Sequence, residues 1–229
     1  MPTGQCITFK LFAARCAVLR RTAIALVFLT IVASPLEVLA SSDWRWYPID
    51  EPCNGNCAVS VYGGFYVENA MSSIFLEDFI APWNWNYDDD YIVGAAVSRR
   101  VLSFFDAFHL EPEIGIAQRF GHQDATEFWG ALYLRYTKFP WNNFIYTTIA
   151  VSTGLNYATN ISDQEKERSG KGKGSHLMHY LSPEITFALP DRRDFQLMFR
   201  FHHRSGAYGL ISDSEGGAHY GTIGMRVSF

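Results

Sequence analysis

The sequence predicts an all-β chain, an eight-stranded antiparallel up-and-down transmembrane β-barrel, on three observations. Eight runs alternate apolar and polar residues with the two-residue period of a strand. The connections between these runs alternate between long and short, as in barrels with tight periplasmic turns and larger outer loops. Aromatic residues reach 16% of the 229 residues while mean hydropathy stays near zero. No stretch after residue 40 reads as a continuous apolar helix, which argues against a helical membrane protein.

The elements follow in order. Lys10, Arg15, Arg20 and Arg21 precede an apolar run from Thr22 to Val32, and Val38-Leu39-Ala40 places small residues ahead of Ser41. That is a secretory signal pattern, so residues 1–40 are expected to be a signal peptide. The apolar run falls short of the roughly 20 residues that span a bilayer as a helix. Residues 41–57 form a periplasmic lead-in with Trp44 and Trp46. Cys6 and Cys16 fall in the signal segment, which leaves Cys53 and Cys57 in an oxidising compartment. A local disulfide across Asn54-Gly55-Asn56 is expected; a zinc site would need further ligands nearby, and the sequence offers none.

The barrel then occupies 58–229, with strands at about 58–70, 91–101, 107–119, 126–137, 144–154, 177–189, 194–204 and 218–229. Met71–Asp90, Tyr157–His176 and Ser205–Gly217 are long connections, and Phe120–Ala125 is moderate. Leu102–Ala107, Lys138–Asn143 and Pro190–Arg193 are tight turns.

Parity assigns the faces. In the last strand Gly221, Ile223, Met225, Val227 and Phe229 share one side, and Tyr220, Thr222, Gly224, Arg226 and Ser228 the other. A strand of this pattern ending in Phe resembles the closing strand of outer-membrane barrels. Glu111, Glu113, Arg135, Glu184, Arg200 and Arg226 fall on inward positions. An eight-stranded barrel has room only for side chains, so these charges are expected to form a packed ionic interior, not a channel. A soluble sandwich or lipocalin-like barrel would also alternate, but the charged interior and the terminal Phe favour the membrane version. The expected location is the bacterial outer membrane. A net charge of −4 gives no sign of a nucleic-acid partner.

One strand carries candidate chemistry. In Phe195–Ser205, parity places Phe195, Leu197, Phe199, Phe201, His203 and Ser205 on the apolar face, and Gln196, Met198, Arg200, His202 and Arg204 on the other. In a membrane barrel that apolar face meets lipid, so a base and a hydroxyl would lie level with the head groups of the outer leaflet. Serine needs a base to take its proton, and His203 lies two residues away on the same face. A third group should hold the imidazole; Glu215 is the first choice and Asp213 the second. The backbone N–H groups of Gly206 and Ala207 could receive an oxyanion, since absent or small side chains allow close approach. No Gly-x-Ser-x-Gly elbow occurs, so an α/β-hydrolase reading fails.

His203-x-Ser205 on the penultimate strand, a Gly-rich loop with an acidic residue and a closing strand ending in Phe229 resemble the outer-membrane lipid A 3-O-deacylases of the PagL type. The likeness covers the barrel in architecture and residues 199–229 in motif. It implies a Ser-His-Glu esterase without metal or cofactor, acting on lipopolysaccharide at the 3-position of lipid A. Where that family commonly has Asn after the Ser, this chain has Gly206, and no Asn lies between Ser205 and Phe229.

Weaker features complete the reading. Lys171 and Lys173, with Lys166 and Arg168, could meet lipid phosphates, and Arg204 could steer the same anion although parity turns it inward. His202 is read as an interior structural partner. Asp88-Asp89-Asp90 is read as a solvated strand entrance, and His122, His176 and His179 lack metal-site spacing. Two other readings stand: a non-catalytic barrel with a structural or adhesion role, and a phospholipase-type esterase. A homodimer is left open.

Overall fold

The computed structural model describes residues 44–122, 124–169, 174–207, 210–212 and 217–229, the side chains of Gln164 and Arg168 excepted. The expected signal peptide, together with Lys171, Lys173, Asp213 and Glu215, lies outside the described residues.

The strands are β1 (Arg45–Trp46), β2 (Cys57–Val67), β3 (Tyr87–Arg99), β4 (Leu102–Phe104), β5 (Phe108–Phe120), β6 (Ala125–Tyr136), β7 (Tyr146–Ala158), β8 (Leu177–Leu181), β9 (Glu184–Ala188), β10 (Phe195–Ser205) and β11 (Gly217–Ser228). One short helix, α1 (Asp163–Arg168), lies between β7 and β8. β2 pairs with β3, β3 with β5, β5 with β6, and β6 with β7; β7 pairs with both β8 and β9, which pair with β10. β10 pairs with β11 and β11 returns to β2, so an eight-stranded antiparallel barrel closes with no free edge along its wall.

β8 and β9 together form one stave, broken at Ser182 and Pro183. Proline has no N–H to give the ladder, and the chain resumes pairing where Phe201 N–H donates to Pro183 O at 2.9 Å. β3 starts at Tyr87 and not near 91: past an irregularity between Phe65 and Tyr66, pairing with β2 resumes at Tyr66↔Asp88 and Val67↔Tyr87. This start corrects the reading of the acidic run. Asp90 is fully buried and its carboxylate accepts from His122 N–H at 2.5 Å, so it ties down the β5–β6 turn.

The faces follow parity. Ile114, Val61, Val93 and Ile223 point outward and are about half exposed or more, the apolar belt that a barrel presents to hydrocarbon. Inside, every carboxylate of the expected set is paired. Arg200 donates to Glu113 at 2.8 Å and to Glu184 at 2.6 Å, Arg135 to Glu184 at 2.7 Å and Glu111 at 2.9 Å, and Arg226 to Glu111 at 2.8 Å. Tyr62 and Tyr133 each face the Arg200 guanidinium at 5.1 Å. Paired charges and aromatic faces fill the lumen, as they must where no bulk water solvates them. The apolar belt around an ion-packed core makes this an outer-membrane β-barrel.

The lead-in is attached to the short-turn rim. β1 pairs with β4, and Trp44 stacks on Phe104 with centroids 5.2 Å apart. Cys53 forms a disulfide with Cys57, the first residue of β2.

Candidate active site on the outer wall

The ladder between β10 and β11 is unbroken from Phe195↔Val227 to Ser205↔Gly217, so alternation holds to the long-loop rim and His203 and Ser205 share the outward face. Exposure does not follow parity alone. Phe199 is 40% exposed, whereas Phe201 is 3% and His203 9% exposed. The cover is the β2–β3 connection, residues 68–86, which folds down the outside of the wall.

That connection carries a π-helical turn (Ser73–Glu77) and a 3-10 turn (Pro82–Asn84). Ile74 packs with Val67 and Phe201, and Met71, Phe75 and Trp85 close around them. Trp85 is fixed by donating Nε1–H to Ile80 O at 2.8 Å, and its ring lies edge-on to Phe201 at 5.5 Å. The indole passes so close to Gly221 that a Cβ there would lie 2.6 Å from a ring carbon. Only glycine admits it.

Beneath this cover runs an apolar groove of about 1040 Å³, bounded by Phe75, Phe79 and Trp85 on the loop side and by Phe199, Phe201 and Ile223 on the wall. It is large for a small-molecule site, and it lies on the face that meets lipid. Phe201 joins the groove to the histidine: its ring stacks on His203 at 6.3 Å and on His219 at 5.3 Å.

His219 is the Cα partner of His203 across the β10–β11 ladder. The two Nδ1 atoms are 3.2 Å apart, and His219 Nε2 donates to the Asn69 carbonyl at 2.7 Å. Ser205 is partly buried and pairs in register with Gly217 on one side and His179 on the other. His179 Nε2 is 2.9 Å from Thr153 Oγ1 on β7, so that imidazole is held toward the strand away from Ser205. Gly206 is buried, and Ala207 has φ 51°, a left-handed conformation that L residues other than Asn and Asp seldom adopt.

Two histidine-adjacent residues prove structural. His202 points into the lumen, where it donates Nε2–H to Glu127 at 2.9 Å and accepts at Nδ1 from Tyr62 OH at 2.8 Å. Arg204 is fully buried and donates to Ser175 O at 2.7 Å, His176 O at 2.9 Å and Glu165 at 3.3 Å. This corrects the expectation that Arg204 steers an anionic substrate. Its guanidinium is committed to holding the β7–β8 connection over the lumen, and Glu165 of α1 reaches Arg119 there as well, at 3.0 Å.

His219 and the covering connection were missed by sequence reasoning. His219 sits in phase with Gly221 and Ile223, but setting it opposite His203 needs the β10–β11 register, which the intervening loop conceals.

No protein-family model and no curated protein matches this chain. Among solved structures, the outer membrane enzyme PagL matches at 12% identity and TM-score 0.48, over 76% of this chain and 99% of that one. Neisserial surface protein A matches at 10% identity and TM-score 0.46, over 78% and 100%. A designed transmembrane β-barrel matches at 12% identity and TM-score 0.44, over 79% and 98%. At these identities and scores the likenesses assign no chemistry.

Proposed function

We propose that this barrel is an outer-membrane esterase that removes the 3-O-acyl chain of lipid A, with lipopolysaccharide as its substrate. The observation that carries the reading is that His203 and Ser205 share the outward face of β10, two and four residues along the strand from Phe201, which lines an apolar groove that would hold an acyl chain. The His203-x-Ser205 motif and its resemblance to PagL-type deacylases supply the bond and position.

In this reading His203 takes the Ser205 Oγ proton as Oγ attacks the ester carbonyl carbon. The acyl C–O bond then breaks, and His203 returns the proton to the departing 3-hydroxyl of the sugar. Water repeats the sequence on the acyl-enzyme and releases the fatty acid, so no cofactor enters. The N–H groups of Gly206 and Ala207 receive the oxyanion, and Glu215, with Asp213 as second choice, is the acidic partner. Lys171 and Lys173 are assigned to the lipid phosphates.

A phospholipase-type esterase would use the same groove, and the deep burial of His203 favours a non-catalytic barrel. Purified protein given lipopolysaccharide micelles or phosphatidylethanolamine vesicles separates the three. Release of a hydroxy fatty acid from the first alone supports the deacylase, release from the second a phospholipase, and release from neither a structural barrel. Ser205→Ala and His203→Ala should each lower release by on the order of 10²-fold or more.

A further inference from the structure

Around the wall, Phe201, Gly221, Phe65, Tyr91 and Phe120 are successive cross-strand partners on β10, β11, β2, β3 and β5. All five positions face outward, and Phe65, Tyr91 and Phe120 are each a little under half exposed. Aromatic residues at one level of an outward wall mark the membrane–water boundary, where a ring that is apolar in body and polar at its edge is favoured. The row has a gap at Gly221, and Trp85 fills it from the β2–β3 connection, its indole standing where any other side chain at 221 would begin. The connection thus supplies one member of the outer aromatic girdle, and it lies at the level of the lipid surface. Ser205, the last residue of β10, is four residues beyond Phe201, about 13 Å along the strand, yet Phe75 of the connection meets Phe201 edge-on at 5.2 Å.

We propose that the β2–β3 connection is an in-plane insertion into the outer leaflet, with Leu76 and Trp83 seated among lipid chains at the head-group boundary. Its inner side is sealed on the wall by Ile74, Phe75 and Trp85, whereas Leu76 is 75% and Trp83 83% exposed, more open than Phe65, Tyr91 or Phe120. These two side chains prolong a surface that already meets lipid, and that continuity selects lipid as the partner over another protein. A segment at this depth must satisfy its own backbone, and this one does so at both of its turns. Ile74 N–H donates to Ala70 O and Asp78 N–H to Ser73 O, each at 3.1 Å, and Asn84 N–H donates to Ala81 O at 2.9 Å. Tyr87 OH donates to Pro82 O at 2.8 Å, which ties the second turn to the girdle. The charges set the depth. Glu77 and Asp78 are exposed beside Leu76, and carboxylates remain in the hydrated head-group layer while a neighbouring Leu or Trp reaches below it. The groove beneath the connection then opens inside the leaflet, so a lipid chain enters it sideways without crossing water.

The insertion does not rest on hydrolysis, and its test reads none. The barrel purified from outer membranes is placed in phosphatidylcholine nanodiscs, which leave both faces open to solutes, with a nitrobenzoxadiazole fluorophore on Leu76→Cys or Trp83→Cys. Labelling omits reductant so that the Cys53–Cys57 bridge stays closed, wild type treated alike is the blank, and only preparations with the heat-modifiable folded band are read. Two further variants calibrate the scale: Phe120→Cys, on the girdle row, reports lipid, and Asp124→Cys, exposed at the β5–β6 turn, reports water. Labels at 76 and 83 are expected to be quenched by phospholipid bearing a nitroxide near the head of its acyl chain as strongly as the label at 120. They should also be shielded from aqueous iodide relative to the label at 124. Iodide quenching of either label at the level seen at 124 overturns the insertion. Shielding from iodide without quenching by the nitroxide lipid overturns it too, because a protein, a second copy of this chain included, would then cover the segment.

Discussion

Phe201 and Phe199 occupy equivalent outward positions on β10, yet one is sealed and the other is open. The difference is the β2–β3 connection, whose Ile74, Phe75 and Trp85 close over Phe201, and Trp85 comes this close to the wall because position 221 is glycine. If the groove beneath it holds an acyl chain, Trp85→Ala should shift chain-length preference. Hydrolysis of long-chain p-nitrophenyl esters should fall by on the order of tenfold relative to short-chain ones, the scale of a few lost methylene contacts. An unchanged ratio of the two rates would remove the groove from the binding account. Gly221→Ala should act in the same direction by lifting the indole off the strand. At this scale the sequence was legible wherever the two-residue period sufficed: the inward turn of His202 and Arg200 and the outward turn of His203 and Ser205 follow from it. It was illegible at Phe201 and His203, because their burial depends on a loop docking from elsewhere in the chain.

Ion pairs join the staves across the lumen. Arg200 on β10 bonds Glu113 on β5 and Glu184 on β9, and Arg135 on β6 links Glu184 to Glu111. Arg200→Leu would leave Glu113 and part of Glu184 buried without their cation, and breaking such a pair costs about 3–5 kcal/mol. The expected outcome is a large drop in the urea concentration at which the heat-modifiable folded band is lost in gel electrophoresis; a shift too small to measure would show that the lumen is solvated. Removing the Cys53–Cys57 bridge should matter less. The ring spans a sequence separation of 4, and closing so small a loop is worth about 2 kcal/mol, so Cys53→Ser with Cys57→Ser should fold and should lower the same midpoint modestly. All eight staves were anticipated within a few residues, since each is long and periodic. The two departures are local: Pro183 divides one stave, and past the irregularity beside Tyr66 the pairing of β3 extends back through the acidic run to Tyr87. Neither a missing N–H in a ladder nor a slipped register announces itself in an alternating pattern.

The whole molecule gathers its long connections at one end. Short turns and the Trp44 stack stand at one rim, while the connection over the groove, α1 over the lumen, and the β10–β11 loop share the other. Closure protects every wall strand from pairing with another chain, so the chemistry proposed here belongs to a rigid wall and a mobile lipid, not to an opening lumen filled with salt bridges. That architecture was legible from loop lengths and alternation; the proposed chemistry rests on the motif His203-x-Ser205, and the neighbour of His203 across the ladder, His219, was hidden by register. The most direct test is mass spectrometry of lipid A from cells that make the wild-type barrel or Ser205→Ala at equal folded levels. The account predicts loss of one hydroxyacyl mass in the wild type and an intact spectrum in the variant. The same loss with Ser205→Ala, or no loss with either while the purified protein also leaves lipopolysaccharide intact, would contradict it.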